Sequence, residues 1–259
     1  MNELVFLGTG GSVATAERDN TSFLLVAEKD LILVDCPGAL IQKLRRCGVD
    51  PGTVGGILVT HVHPDHIYGL PSLVHSLMLR EGLIRVFGSR QACSFGERLL
   101  DLFELREPRF RTRVEFVPLD PGATAAVGAA LEVTPLLTPH HASSLAYEVR
   151  LRTTGQRVVF SGDTPIYPPL FDRARGADYL VHDCSSPSRW FEAYPILATM
   201  HTHALELGRA AAAAGVRCLV PCHFLTGDLE FSVAEVETEL RAGFGGRLVM
   251  PADFERMAL

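Results

Sequence analysis

From Thr60 to Leu70 the chain reads Thr-His-Val-His-Pro-Asp-His-Ile-Tyr-Gly-Leu, which packs His61, His63, Asp65 and His66 into six residues. An apolar, strand-like run beginning at Gly56 leads straight into it. Three imidazoles and a carboxylate held this close are costly unless they share a cation, and neutral imidazole with carboxylate suits zinc and other borderline divalent metals. Two histidines two residues apart project together from the end of a strand, since side chains alternate with a period of two. A merely solvated histidine tract would not carry an Asp at a fixed place and a Gly just beyond it. The segment therefore requires a strand before it and a metal site after it.

Short β-rich runs at 4–7, 22–27, 31–34 and 56–60, separated by Gly, Asp and Pro, predict strands joined by tight turns. A second series falls at 114–117, 131–137, 145–151, 158–161, 179–182 and 218–221. Helices are expected at about 39–47, closed by Gly48, at 90–105, at 203–214 before Gly215, and at 232–242, where Ser232 and Glu235 fit a capping box. Strands in both halves with helices interspersed predict an α/β fold of two sheets packed face to face and covered by helices. The 259 residues contain no linker or low-complexity tract, so one domain spanning 1–259 is expected.

The unusual polar residues fall at strand exits. Asp35, His61, His63, Asp163, Asp183 and His223 all come at or just after the carboxyl end of a predicted strand, and His140 and His141 follow another. Loops at one rim of a sandwich can then converge on a single site. Together these residues supply enough nitrogen and oxygen for two metal ions sharing a carboxylate.

At this point the chain resembles the metallo-β-lactamase fold superfamily, from Leu7-Gly-Thr-Gly10 to Pro221-Cys-His-Phe224. The two residues between His66 and Gly69, the opening Gly-Thr-Gly-Gly with Arg18, Thr21 and Ser22, and the late His182-Asp183 and His201-Thr202 resemble its ribonuclease Z and phosphodiesterase branch. The resemblance implies a four-layer αββα sandwich. It implies that His61, His63 and His140 hold one divalent ion and Asp65, His66 and His223 another, with Asp163 bridging and Asp35 orienting a ligand histidine. His140 is preferred to its alternative His141 because Ser144 and Tyr147 follow it at the family's spacing. Zn2+ is the expected metal, with Mn2+ or Fe as alternatives.

By the same resemblance the activity is hydrolysis of a small or cyclic phosphodiester or nucleotide by metal-activated hydroxide, with Asp65 orienting or deprotonating the water. His201, held by Asp183, would protonate the leaving oxygen, whereas His203 is expected to cap or face solvent. The alternatives are ribonuclease Z-like processing of transfer RNA, hydrolysis of a sulfate ester, lactone or thioester, an iron oxidoreductase, and a non-catalytic metal-binding role. His140 and Asp163 stand 23 positions apart, too close for the transfer-RNA arm of ribonuclease Z, and the net charge of -6 gives no global attraction for RNA. A homodimer is common in the branch.

No basic n-region or cleavage site follows the start, and no apolar run reaches membrane-spanning length, so a cytoplasmic protein without membrane contact is expected. The six cysteines form no Cys-x-x-Cys pair. Buried thiols are their expected state, with a redox role at Cys36, Cys184 and Cys222 as the alternative. The arginines between 106 and 113 are interrupted by acids and read as a solvated connection. The segment 68–113 is expected to supply part of the substrate wall, and Phe103, Phe110, Trp190 and Tyr194 are candidate aromatic contacts whose expected role is core packing.

Overall fold

Period-two alternation in the strands decides the layers. In the first strand Leu4 and Phe6 belong to one buried cluster and Val5 and Leu7 to another, and Phe23, Leu25 and Ala27 of the second strand face away from Leu24 in the same manner. Both faces are apolar, so both must be covered. The computed structural model describes residues 2–259.

The first sheet comprises β1 (Glu3–Gly8), β2 (Ser22–Ala27), β3 (Asp30–Val34), β4 (Gly56–Leu58), β5 (Gly82–Gly88) and β6 (Thr112–Pro118). The second comprises β7 (Ala125–Val127), β8 (Leu131–Leu137), β9 (Leu145–Leu151), β10 (Arg157–Phe160), β11 (Tyr179–Asp183), β12 (Cys218–Cys222) and β13 (Arg247–Leu248). The last strand, β14 (Arg256–Ala258), returns to the first sheet against β1, giving the orders β14-β1-β2-β3-β4-β5-β6 and β13-β12-β11-β10-β9-β8-β7.

Phe6, Phe23 and Val34 meet Tyr147, Val149 and Phe160 between the sheets. Outside the first sheet lie α1 (Leu40–Arg46), α3 (Leu70–Ser76) and α4 (Arg90–Leu102), which bury Leu44, Leu73 and Leu100. A one-turn helix, α2 (Pro64–Ile67), carries Asp65 and His66. Outside the second sheet, α5 (Pro168–Arg173), α7 (Ala204–Ala213) and α8 (Val233–Gly243) bury Leu170, Leu207 and Leu240, and α6 (Ser188–Ala193) packs against α7. The architecture is the expected αββα sandwich.

Strand direction gathers the polar loops. β3 to β6 are parallel, and so are β10 to β13. β9 runs antiparallel to both of its neighbours, which restores the common direction in β8. The loops after β3, β4, β8, β10, β11 and β12 consequently open on one rim.

Several local expectations change. The sequence reading left β5 unassigned, although Ile84 and Val86 are buried and alternate with the exposed Leu83 and Arg85. Its strand character becomes evident through parallel pairing with both β4 and β6. The capping box on α8 is half formed: the Ser232 hydroxyl accepts from the Glu235 amide at 3.2 Å, but the Glu235 carboxylate turns to the Arg189 Nε at 2.7 Å. Phe103 and Tyr194 are not core residues, being 56% and 50% exposed. Arg106 and Arg109 form exposed ion pairs with Asp101 and Glu107, as a solvated connection should.

Candidate metal centre

The left-handed backbone at Asp35 (φ 63°) and His223 (φ 65°) marks the exits of β3 and β12. That conformation is unfavourable for a non-glycine residue, so the surrounding structure must hold it. A Cβ on Gly69 would lie 1.9 Å from the Pro37 carbonyl oxygen, which explains the glycine that follows the histidine cluster.

The imidazoles are aimed by their outer nitrogens. His66 Nδ1 donates to Asp35 Oδ2 at 2.7 Å, and His140 Nδ1 donates to the Met200 carbonyl at 2.8 Å. Thr60 Oγ1 donates to Asp35 Oδ2 at 2.8 Å and lies 3.1 Å from His61 Nδ1, so it can accept from that ring. The Thr60 amide donates to Asp35 Oδ1 at 2.7 Å. One buried carboxylate thus fixes His66 directly and His61 through Thr60. In each of the three rings Nε2 is the nitrogen turned to the site.

The inward atoms fall into two groups. His61 Nε2 and His140 Nε2 lie 3.0 and 3.1 Å from His63 Nδ1, and these three residues form one metal-competent cluster. Asp65, His66, Asp163 and His223 form a second, and His201 lies within ligand distance of two smaller sets, His140 with Asp163 and Asp183 with His223. Asp163 Oδ2 reaches the two main groups, lying 3.1 Å from His223 Nε2, 3.4 Å from His66 Nε2, 3.8 Å from His140 Nε2 and 3.9 Å from His61 Nε2. His66 Nε2 and both ring nitrogens of His223 are buried without a hydrogen bond. Buried polar atoms are normally satisfied, so unpaired nitrogens facing carboxylate oxygens fit a divalent cation.

The electrostatics agree. Burial, reinforced by neighbouring imidazoles, holds His61, His63 and His140 below the usual histidine range, which keeps them neutral donors. Burial opposes charge on Asp163 and Asp65, but His223 and His66 outweigh it and hold both carboxyls below their usual range. Burial likewise opposes protonation of His66 and His223, and Asp163 leads the groups that raise them instead. Metal binding must displace those protons, so affinity should rise with pH.

His201 packs 5.2 Å from the His223 ring and 5.2 Å from the His140 ring, centroid to centroid. Its Nδ1 donates to Asp183 Oδ2 at 2.9 Å, which leaves Nε2 as the outward donor. Burial pushes this imidazole down, but the Asp183 carboxylate outweighs it and raises the pKa to about 9. His203 caps α7, as expected, by accepting from the Glu206 amide.

All ten site residues named from the sequence therefore meet at this rim. His141 is turned aside, its Nδ1 accepting from the Ser143 amide at 3.1 Å, and it lies outside the metal-competent clusters. Sequence reasoning missed Thr60, whose one signal was its place directly before His61, and Ser143, which ties the two histidine loops through the Val62 amide at 3.2 Å. Cys36, Cys184 and Cys222 are fully or nearly buried and hold their protons, burial pushing each thiol up. That environment argues against the redox alternative.

A family model described as "Anti-Pycsar protein Apyc1" matches residues 2–209. The chain belongs to the Apyc1 anti-Pycsar protein family. The family match ends before His223, which joins the cluster through the tertiary structure. Among curated relatives, the ribonuclease Z of Methanosarcina acetivorans is 27% identical over 287 aligned positions, covering 89% of this chain and 90% of the relative. Solved structures share the metallo-β-lactamase fold of this Apyc1-family chain. YhfI of Bacillus subtilis superposes with a TM-score of 0.81 at 18% identity, covering 100% of both chains. The short form of human tRNase Z gives 0.78 at 19% identity over 99% of this chain and 98% of its own. A diphosphatase of the PhnP family gives 0.75 at 18% identity over 100% and 98%.

Asp35→Asn should leave this family member folded while weakening metal affinity by roughly 10–100-fold, because an amide cannot hold His66 and Thr60 as the carboxylate does. Competition with a chromogenic chelator measures it, and unchanged affinity would contradict the orienting role.

Proposed function

We propose that the protein is a dinuclear-metal phosphodiesterase acting on small or cyclic phosphodiesters. The observation that carries this reading is Asp163 Oδ2, which lies within 4 Å of histidine nitrogens from both ligand groups. His61, His63 and His140 would hold one cation and Asp65, His66 and His223 the other, with Asp163 shared; Zn2+ is the expected ion and Mn2+ or Fe the alternatives. Such a pair supplies a water of lowered pKa and neutralises charge on the phosphoryl oxygens.

The protein's own residues do the rest. Asp65, mostly buried beside His66 and His223, can orient a nucleophilic water or accept its proton. His201 Nε2 delivers a proton to the leaving oxygen, and Asp183 fixes the ring that carries it. Relatives named ribonuclease Z support phosphodiester chemistry. Against RNA as substrate stands the stretch between His140 and Asp163, which is filled by β9, a short turn and β10.

The test is metal content of the purified chain together with hydrolysis of bis(p-nitrophenyl) phosphate, beside sulfate-ester, lactone, thioester and precursor-tRNA controls. Two metals per chain with metal-dependent diester cleavage are expected. Turnover of a control in place of the diester would overturn the assignment.

A further inference from the structure

His66 is aimed by Asp35 and His140 by the Met200 carbonyl, but His223 has no such anchor. Asp183 Oδ1 stands 3.8 Å from its Nδ1, beyond hydrogen-bond range, and both ring nitrogens are buried and unpaired. Its backbone is also left-handed, at φ 65°. A strained residue whose ring makes no hydrogen bond is placed by what grips the chain on either side of it.

The grip falls on the residue that follows. Phe224 is fully buried, its amide donates to the Thr9 carbonyl at 3.2 Å, and its carbonyl accepts from the Gly11 amide at 2.9 Å. The Leu225 amide donates to the Ser185 carbonyl at 2.8 Å. Gly11 lies against the imidazole itself, since a Cβ there would come 3.3 Å from His223 Cε1 and 2.5 Å from Leu225 Cδ2. The turn after β1 is therefore the surface on which His223 rests.

Arg18 ties that turn to Phe224. Its guanidinium lies 4.7 Å from the centroid of the Phe224 ring, and it donates to Thr9 Oγ1 and, at 2.9 Å, to the Pro251 carbonyl. The Thr9 hydroxyl donates onward to Asp253 Oδ1 at 2.7 Å, and Asp253 Oδ2 accepts from the Asp19 amide at 2.7 Å. Asp19 pairs with the buried Lys43 at 2.9 Å. Residues from both ends of the chain thus close around the one ligand that lacks an anchor of its own.

We propose that Arg18, clamped by Asp253, is a positioning residue for His223, holding the left-handed turn that presents this imidazole to the second cation. The assignment rests on the dinuclear reading above. It confines the effect to one of the two ions, because His61 and His140 are held by Thr60 and Met200 instead.

The experiment withdraws metal from the Zn2+-loaded full chain with a chromogenic chelator, which resolves the two dissociation steps, and records the visible absorption of the Co2+-loaded chain. Arg18→Met should weaken one step by roughly tenfold or more, leave the other within about threefold, and alter the Co2+ spectrum. Arg18→Lys, which keeps a cation for the Phe224 ring, should recover part of the loss. Asp253→Asn, which preserves volume, should shift the same step by roughly threefold. In a His223→Ala chain, Arg18→Met should change the remaining affinity by less than about threefold, because the residue it positions is already gone. Loss spread equally over both steps, unchanged affinities beside a lowered melting temperature, or a loss that persists in the His223→Ala chain would overturn the clamp while two bound ions keep the dinuclear reading intact. Fewer than two ions in the parent chain would overturn both.

Discussion

Replacing Asp163 with alanine is expected to lower metal stoichiometry below two per chain and to cut diester hydrolysis by roughly 10³-fold or more, about 4 kcal/mol of barrier. Asp163 Oδ2 is the atom that approaches both ligand groups, so its loss affects both cations, whereas loss of a single histidine leaves one group complete. In the metal-free protein the same carboxylate balances His66 and His223, so Asp163→Ala also leaves buried cationic groups without their principal partner. Asp163→Asn preserves volume and separates folding from binding. Its circular dichroism should match the parent, while added Zn2+ should raise the melting temperature of the parent and much less that of the variant. Full metal content with parental activity in Asp163→Asn would rule out the bridging role.

For His201→Ala the expected signature is dependence on the leaving group. Hydrolysis of diesters with alkoxide leaving groups should drop by roughly 10²–10⁴-fold, because that oxygen departs poorly without a proton. Nitrophenolate departs unprotonated, so its esters should change by less than about tenfold. The sign of the pH effect follows from the ring's state. A general acid works only while protonated, and the pKa of His201 is raised to about 9, so rate on poor leaving groups is lost as pH rises through that value. Cations bound nearby disfavour the imidazolium and move this alkaline limb toward neutrality. His201→Ala should abolish the limb without loss of metal, since its ring is tied to Asp183 and falls outside the two main ligand groups. Equal loss on both substrate classes would remove the proton-donor role.

How much of the site was legible depended on how local the information is. His61, His63, Asp65 and His66 lie on one short segment, and their density announces a metal before any fold is known. Asp163 and His223 were readable as single polar residues at strand exits, but their relation to that segment needed the superfamily resemblance. His140 and His141, adjacent at a loop exit, differ in the partner that each ring finds, which the sequence does not show. His140 finds the Met200 carbonyl, 60 positions away, and His141 is retained by Ser143. Trp190 and Tyr194 looked like core aromatics because an aromatic in an amphipathic segment usually packs inward. Their stack against Arg189 depends on α8, and no spacing within residues 188–201 encodes it.

The sequence by itself determined the layered α/β architecture, through strands in both halves with helices interspersed, and the chemical identity of nearly every group at the rim. Those are properties of composition and period, which act over a few residues. Only the tertiary structure decided that β8, β10, β11 and β12 share a direction, that Asp35 holds His66 and reaches His61 through Thr60, and that Arg18 covers Phe224 beside His223. Each of these is a contact between segments far apart in the chain. Such contacts are fixed by sheet pairing and burial, which no local pattern records.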